Sequence, residues 1–449
     1  MLPLHPRPHG LLRVLGVVFS LAVVVGGVIG SGILRAPGVV ARGIHTTPMI
    51  LLAWTIGGVV TLLASMPLVE AGASVPRAGG PFPIAERAFG RTAAFVTGWI
   101  TWLQYAAGVA FISVVFGEYA HRLGLATAVP IAGLAAALIL ATAAINWTGT
   151  RLSGGSQTIA SAVKGAVYFL LAVLLFLLPH GHAPLRAAPT TATALTAVGA
   201  VVMAIRVIYQ TYAGWDGAIY FSEEVHQPER ALARATFTGI GVVSVIYVLI
   251  NAATLHVITP AEMAGSQLAV GDAARRVLGP VADTVITAFS LFSLAAIANL
   301  NLMAGARITW RMAADGMLPR ALAYVARAGT PRASLAALVA ASLIFAAIGN
   351  YELIVRIYSP WNMASILIVC LAAIALRYRE PALQRPWKMP LFPWTAIFAA
   401  LIQAALIVLV VLDDPRFGVW SGLAALAPLP LWLIFGRRAL PAMAKGSSR

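Results

Sequence analysis

The stretch GGVIGSGIL, Gly26 to Leu34, places four glycines and a serine inside an apolar run. Glycine costs a helix interior about 1 kcal/mol relative to alanine, so the stretch predicts an interrupted helix. A half-helix ending near Val28 leaves carbonyls without donors, and one beginning near Ser31–Ile33 leaves N–H groups without acceptors. The carbonyl end suits an ammonium. The N–H end, with the positive pole of its dipole, suits a carboxylate. One interruption can therefore hold both poles of an α-amino acid, and glycine lets a ligand reach the backbone with no Cβ in the way. The competing reading is close helix packing through small residues.

A second interruption is readable in YQTYAGWDGAIYFSEE, Tyr209 to Glu224, where Gly214 and Gly217 flank Trp215 and Asp216. Paired interruptions at matching positions of two halves point to the binding site of a secondary transporter. Lys164, in SQTIASAVKGAVYFLLA, is a cation within an apolar run. Such a lysine is costly and usually functional; the alternative is an ammonium that snorkels to the interface. Asp216 either caps the half-helix that starts there, bonds locally, or meets a substrate amine or proton. Glu223 and Glu224 either pair with loop arginines or solvate a helix end. Asn299, Asn301, Trp361 and Asn362 are polar points in apolar runs, for which hydrogen bonding between helices is the default and pocket lining the second choice. Arg206 and Arg356, like Glu118 and Glu352, fall near predicted helix ends.

These residues need elements to hold them, and composition says which. The 449 residues are 60% hydrophobic and 10% charged, with mean hydropathy +0.87. That is too little polar surface for a soluble chain of this length. Apolar runs of about 20 residues predict an all-α polytopic membrane protein. About twelve spans are readable, centred near Val25, Val59, Tyr105, Leu138, Leu171, Tyr209, Ile246, Leu294, Ala340, Leu367, Ala404 and Leu426. The apolar run from Leu11 is too long for a cleavable signal. Twelve spans put both termini on one side, and most of the 31 Arg and Lys residues fall in the loops of that side. By the positive-inside rule the termini are cytoplasmic and the protein sits in a plasma membrane, of bacterial inner-membrane type from its short loops. The same distribution accounts for the net charge of +16 without nucleic acid. Cys370 is the only cysteine, which excludes an internal disulfide. One Cys and eight scattered His offer no metal-ligand spacing, and HGH at His180–His182 reads as a solvated turn. No phosphate loop, nucleophile elbow or catalytic carboxylate pair appears, so neither an enzyme nor a cofactor is expected.

GGVIGSGILRAPG resembles the first-helix signature of the amino acid–polyamine–organocation superfamily of permeases. VPRAGGPFPIAERAFGR (Val75–Arg91), YAGWDGAIYFSEEVHQPERALARA (Tyr212–Ala235), ARITWRMAADGMLPR (Ala306–Arg320) and LRYREPALQRPWKMPLFP (Leu376–Pro393) resemble its later motifs in order. The likeness is strongest to the L-type amino acid transporter branch. It implies a leucine-transporter-like fold: inverted five-helix repeats over residues 1–180 and 190–376, two extra helices over 390–437, and a cytoplasmic tail at 438–449. It implies that Gly30, Ser31, Gly32 and Ile33 hold a substrate carboxylate. Carbonyls near Val28 and in Gln210–Ala213 take the amino group, and Tyr212, Gly214 and Trp215 help wall the pocket. Many relatives carry an aromatic gate where this chain has Gln210; a one-residue offset makes Tyr209 the gate. Lys164 falls where sodium-coupled relatives of the fold place the ion, with Ser290 and Ser293 opposite. The resemblance thus implies sodium-independent, alternating-access transport of an amino acid, coupled to a proton or run as exchange. A neutral substrate is expected from the apolar surroundings. A sensor without turnover is the reading from another class. Amino acid, proton and membrane lipid are the expected partners, and oligomeric state is left open.

Overall fold

The computed structural model describes residues 11–30, 32–178, 194–266, 268–348, 350–413, 415–430 and 432. Ser31, His180–His182 and the tail from residue 438 lie outside them. Among the described residues the structure is helical. The helices are α1 (Val17–Val28), α2 (Gly32–Gly43), α3 (Thr47–Ser74), α4 (Pro81–Phe89), α5 (Arg91–Arg122), α6 (Ile131–Thr148), α7 (Thr150–Leu177) and α8 (Ala194–Thr211). There follow α9 (Pro228–Val257), α10 (Pro260–Gly265), α11 (Ala269–Leu278), α12 (Val281–Ala314), α13 (Arg332–Ala347), α14 (Tyr351–Arg379), α15 (Trp394–Asp413) and α16 (Pro415–Leu426). Two 3-10 helices cover Trp215–Phe221 and Arg320–Ala323.

Each of the twelve expected span centres falls inside a helix. Eight helices among the described residues are long and apolar enough to cross a membrane, or nine with the bent pair α1–α2 counted as one. Local chemistry sets several starts. Proline stands in the first turn of α3, α4, α9 and α10, where its missing N–H costs nothing. Thr259 and Glu262 close a capping box on α10.

Helix contacts sort into two groups. In one, α1 and α3 pack on α9, and α2 packs on α8. In the other, α5, α6, α12 and α13 pack on one another. The helix α5 is the axis of the second group and has the most buried apolar window of any candidate span, 83%. Both interruptions belong to the first group, so one set of helices carries the broken backbone and the other backs it. The segment before α1 is pinned to the end of the second interruption: Leu15 N–H donates to the Glu224 carbonyl (2.9 Å) and His226 N–H to the Leu15 carbonyl (3.1 Å).

Candidate functional site

The first break lies between Val28 and Gly32, where α1 and α2 meet at 45°. Helix α1 leaves terminal carbonyls without intrahelical partners, and side chains from other helices take them. The Lys164 ammonium of α7 donates to the Gly26 carbonyl (2.9 Å) and the Ile29 carbonyl (3.0 Å). Lys164 is fully buried, so snorkelling is excluded. The Tyr247 hydroxyl of α9 donates to the Val28 carbonyl (2.8 Å), and the Tyr168 hydroxyl reaches the Gly30 carbonyl (3.4 Å). The Val28 carbonyl, expected to be free for a substrate amine, thus already accepts one bond and keeps a second lone pair. On the other side of the break, Gly32 is exposed and Ile33 is buried at the start of α2. The first N–H groups of α2 have no partner within their own helix.

The four glycines divide into two uses. A Cβ on Gly26 would stand 2.0 Å from the Ser161 Oγ, and one on Gly27 would stand 2.7 Å from the Gly214 carbonyl oxygen. These two glycines are packing contacts, as the competing reading had it. On Gly32 the nearest atom would be Thr211 Cγ2 at 3.4 Å, an ordinary contact. Gly30 is intermediate, with Ile297 Cδ1 at 3.1 Å. Of the four, only Gly32 leaves ordinary room beside the backbone.

The second break is narrower than the sequence predicts. Helix α8 runs through Thr211, so Tyr209 and Gln210 are helical. The irregular residues are Tyr212, Ala213 and Gly214, followed by the 3-10 helix and not an α half-helix. Gly214 has φ +103 and caps that helix; a Cβ there would also lie 2.6 Å from the Gly27 carbonyl oxygen. The two breaks therefore touch backbone to backbone. The capping position is held by Gly214, which has no side chain to cap with, and Asp216 falls two residues inside the helix. Its buried carboxylate accepts from the Tyr220 hydroxyl (3.3 Å), a local bond. Ala213 N–H returns to the Gln210 carbonyl, and the Thr211 carbonyl is 3.2 Å from the Tyr247 hydroxyl. Tyr247 thus stands between the last residues of α1 and α8.

The remaining expected residues fall in different places. Tyr212 and Trp215 are buried beside the break; the Tyr212 hydroxyl donates to the Trp54 carbonyl (3.1 Å), and its ring sits against Trp54 and Tyr247. Tyr209 points toward α15, where Gln403 bonds its hydroxyl. Trp361 is buried and donates to the Ser421 carbonyl of α16 (3.0 Å), with Asn362 half-buried beside it in α14. Asn299 joins three helices: it accepts from Asn146 of α6 (2.8 Å) and donates to Gln157 of α7 (3.3 Å). Ser290 bonds back to the Ile286 carbonyl, while the buried Ser293 hydroxyl has no partner among the described residues.

Glu223 and Glu224 are paired, and their partners lie on α12 instead of in a loop. Arg307 grips the fully buried Glu224 with two nitrogens, one at 2.8 Å. Arg311 bonds Glu223 at 2.9 Å and also holds Asp315, which in turn accepts from Arg77 at 2.7 Å. Charges so deeply buried are tolerated only when paired and hydrogen-bonded. These pairs bind the end of the second break to the backing helices.

Tyr247, Tyr168 and Gln157 are the functional candidates that sequence reasoning missed. Tyr168 sits one helical turn after Lys164 and so shares its face; that spacing was the available signal. Tyr247 had none, since an aromatic in an apolar span is ordinarily core.

Comparison with known proteins follows the same pattern. A sequence model described as amino acid permease matches residues 15–435. The serine/threonine exchanger SteT of Bacillus subtilis (strain 168) is 27% identical over 439 residues, covering 96% of this chain and 98% of the relative. The b(0,+)-type amino acid transporter 1 of Mus musculus is 28% identical, covering 92% of this chain and 85% of its own length. The Asc-type amino acid transporter 1 of Mus musculus is 28% identical over 392 residues, 85% of this chain and 73% of that protein.

Proposed function

The chain belongs to the amino acid permease family and is an integral, multi-pass membrane protein; on that premise we propose a sodium-independent secondary transporter of a neutral α-amino acid. It works by alternating access. Twelve spans are counted as α1–α2, α3, α5, α6 and α7 in a first repeat, then α8 with its 3-10 helix, α9, α12, α13 and α14 in a second, with α15 and α16 added. Both termini face the cytoplasm of a bacterial cell, a reading supported by the arginine distribution.

The observation that carries the proposal is Lys164, whose ammonium binds the Gly26 and Ile29 carbonyls where α1 ends at the first break. A fixed monovalent cation there supplies the charge that a bound sodium ion would bring. The substrate carboxylate goes to the N–H groups of Gly30, Ser31, Gly32 and Ile33. Its ammonium takes the spare lone pair of Val28 and carbonyls at Gln210–Ala213. Tyr212, Ala213, Gly214 and Trp215 form the wall. Tyr209 and Gln210 are the gate candidates, and Asp216, Ser290, Ser293, Asn299, Trp361 and Asn362 support the site from outside it. The neutral class is supported by the apolar Ile33, Ala213 and Trp215 and by the serine and threonine named for one relative.

Coupling has two readings, each with its observation. Proton symport draws on Lys164, an amine able to give up and regain a proton during the cycle. Exchange draws on the name of the exchanger that aligns along 96% of the chain. Proteoliposome flux separates them: uptake driven by a pH gradient into vesicles free of internal substrate establishes symport, and a strict need for internal substrate establishes exchange. Binding without any flux identifies a sensor and overturns the transporter reading. A competition screen with the common amino acids then names the side chain accepted.

A further inference from the structure

Away from the breaks, a cavity of about 450 Å3 opens at the end of the bundle where α1 and α7 both begin. Its wall carries Arg13, Arg151 and His226 and no carboxylate. All three side chains are exposed, and neither arginine has an ion-pair partner among the described residues. Two carboxylates close in the chain to His226 are already matched: Glu224 is held by Arg307, and Glu223 by Arg311. The floor is open backbone, since a Cβ on either Gly16 or Gly155 would meet nothing within 4 Å. Thr158 adds a hydroxyl.

Two arginines without ion pairs, with the His226 ring beside them and an open floor between, select an anion with several acceptor oxygens, as a phosphate has. Position selects its source. The flanks of the cavity are apolar and uncovered, with Val18, Leu152 and Ile159 among the most exposed hydrophobic residues of the first and seventh helices. Exposed apolar flanks next to clustered arginines at the start of two membrane helices describe the headgroup layer of a bilayer. A free phosphate needs no such flanks.

We propose that this cavity binds the phosphate of an anionic phospholipid, whose acyl chains lie along α1 and α7. The bound headgroup bridges Arg13, before α1, to Arg151, in the first turn of α7. It adds to the backbone ties that Leu15 makes with Glu224 and His226. It therefore holds the start of α1 against α7 and against the end of the second break, and it favours the state in which this end is closed. The proposal rests on the reading of the chain as a membrane protein but not on which solute it carries.

The test uses the full chain in detergent, titrated with phosphatidylglycerol, phosphatidylcholine or inorganic phosphate, with thermal stability as readout and retained lipid counted by native mass spectrometry. Phosphatidylglycerol is expected to act at a concentration at least tenfold below phosphatidylcholine. Arg13→Ala with Arg151→Ala should erase that preference, while Arg320→Ala with Arg416→Ala, which removes the same charge elsewhere, should keep it. Equal response to the two lipids in the unmutated chain overturns the site without recourse to any variant. So does a preference that survives loss of both Arg13 and Arg151. Stabilisation by millimolar inorganic phosphate as large as that by phosphatidylglycerol overturns the lipid assignment. Because no flux is measured, failure here is distinct from failure of the transport reading.

Discussion

The two helix breaks meet the same problem by different means. At the first, the carbonyls that end α1 are taken by side chains from distant helices: Lys164, Tyr247 and Tyr168. At the second, the chain largely satisfies itself, with Ala213 returning to Gln210 and Gly214 turning at φ +103 into a 3-10 helix. The first break therefore depends on tertiary partners and is open to competition from a bound cation or ligand. The second is a stiff local turn that the first leans on. Side-chain donors from other helices concentrate at the first, and local backbone turns at the second.

The largest effect is expected where they touch. Gly27→Val places a Cβ 2.7 Å from the Gly214 carbonyl oxygen, a backbone atom, so one of the two breaks must shift. Transport should be lost and the yield of folded protein should fall sharply in size-exclusion chromatography; normal flux would show that the breaks do not need this contact. Lys164→Ala comes next. It leaves the Gly26 and Ile29 carbonyls without donors, at about 1–3 kcal/mol each. Flux should drop at least about tenfold, and the melting temperature should fall. Tyr247→Phe removes a hydroxyl that lies between the Val28 and Thr211 carbonyls, worth about 1 kcal/mol. It should cost severalfold in flux with little change in folding.

Gly32→Ala sharpens the contrast within the first break. Its Cβ meets only an ordinary contact, and alanine is the better helix former by about 1 kcal/mol. Stability should hold or rise while KM increases, because the added methyl would stand where the proposed site takes the carboxylate. Unchanged KM would move the carboxylate elsewhere. The smallest effect is expected far from both breaks, at the exposed Arg87–Glu380 pair. Hydrogen bonding to Arg87 holds the Glu380 carboxyl below its usual range, so the pair is present at neutral pH and lost as pH falls through that lowered value. Arg87→Ala should cost under about 1 kcal/mol, less still in high salt, by thermal melts at two ionic strengths.

Much of this was legible in the sequence because costly residues mark where a helix is interrupted. Glycines in GGVIGSGIL and an ammonium in an apolar run are both penalties that a membrane helix does not carry idly, and both proved to sit at the first break. The helix ends near Val28 and Gly32 followed from the same penalty. What was not legible depends on pairing across the fold. Gly27 and Gly214 lie far apart in the chain, and nothing in either stretch says that they meet. Tyr247 reads as core until the Val28 and Thr211 carbonyls are seen beside its hydroxyl. The second break was drawn too wide for a related reason: Tyr209 and Gln210 flank glycines in sequence, yet α8 has partners enough to stay helical through Thr211.

The central claim is that Lys164 takes the place of a sodium ion across the first break. Uptake of a labelled amino acid into proteoliposomes, with sodium replaced throughout by choline, tests it most directly. The account predicts undiminished uptake by the unmutated chain, and sharply reduced uptake by Lys164→Ala whether sodium is present or not. Uptake that collapses without sodium in the unmutated chain would contradict it.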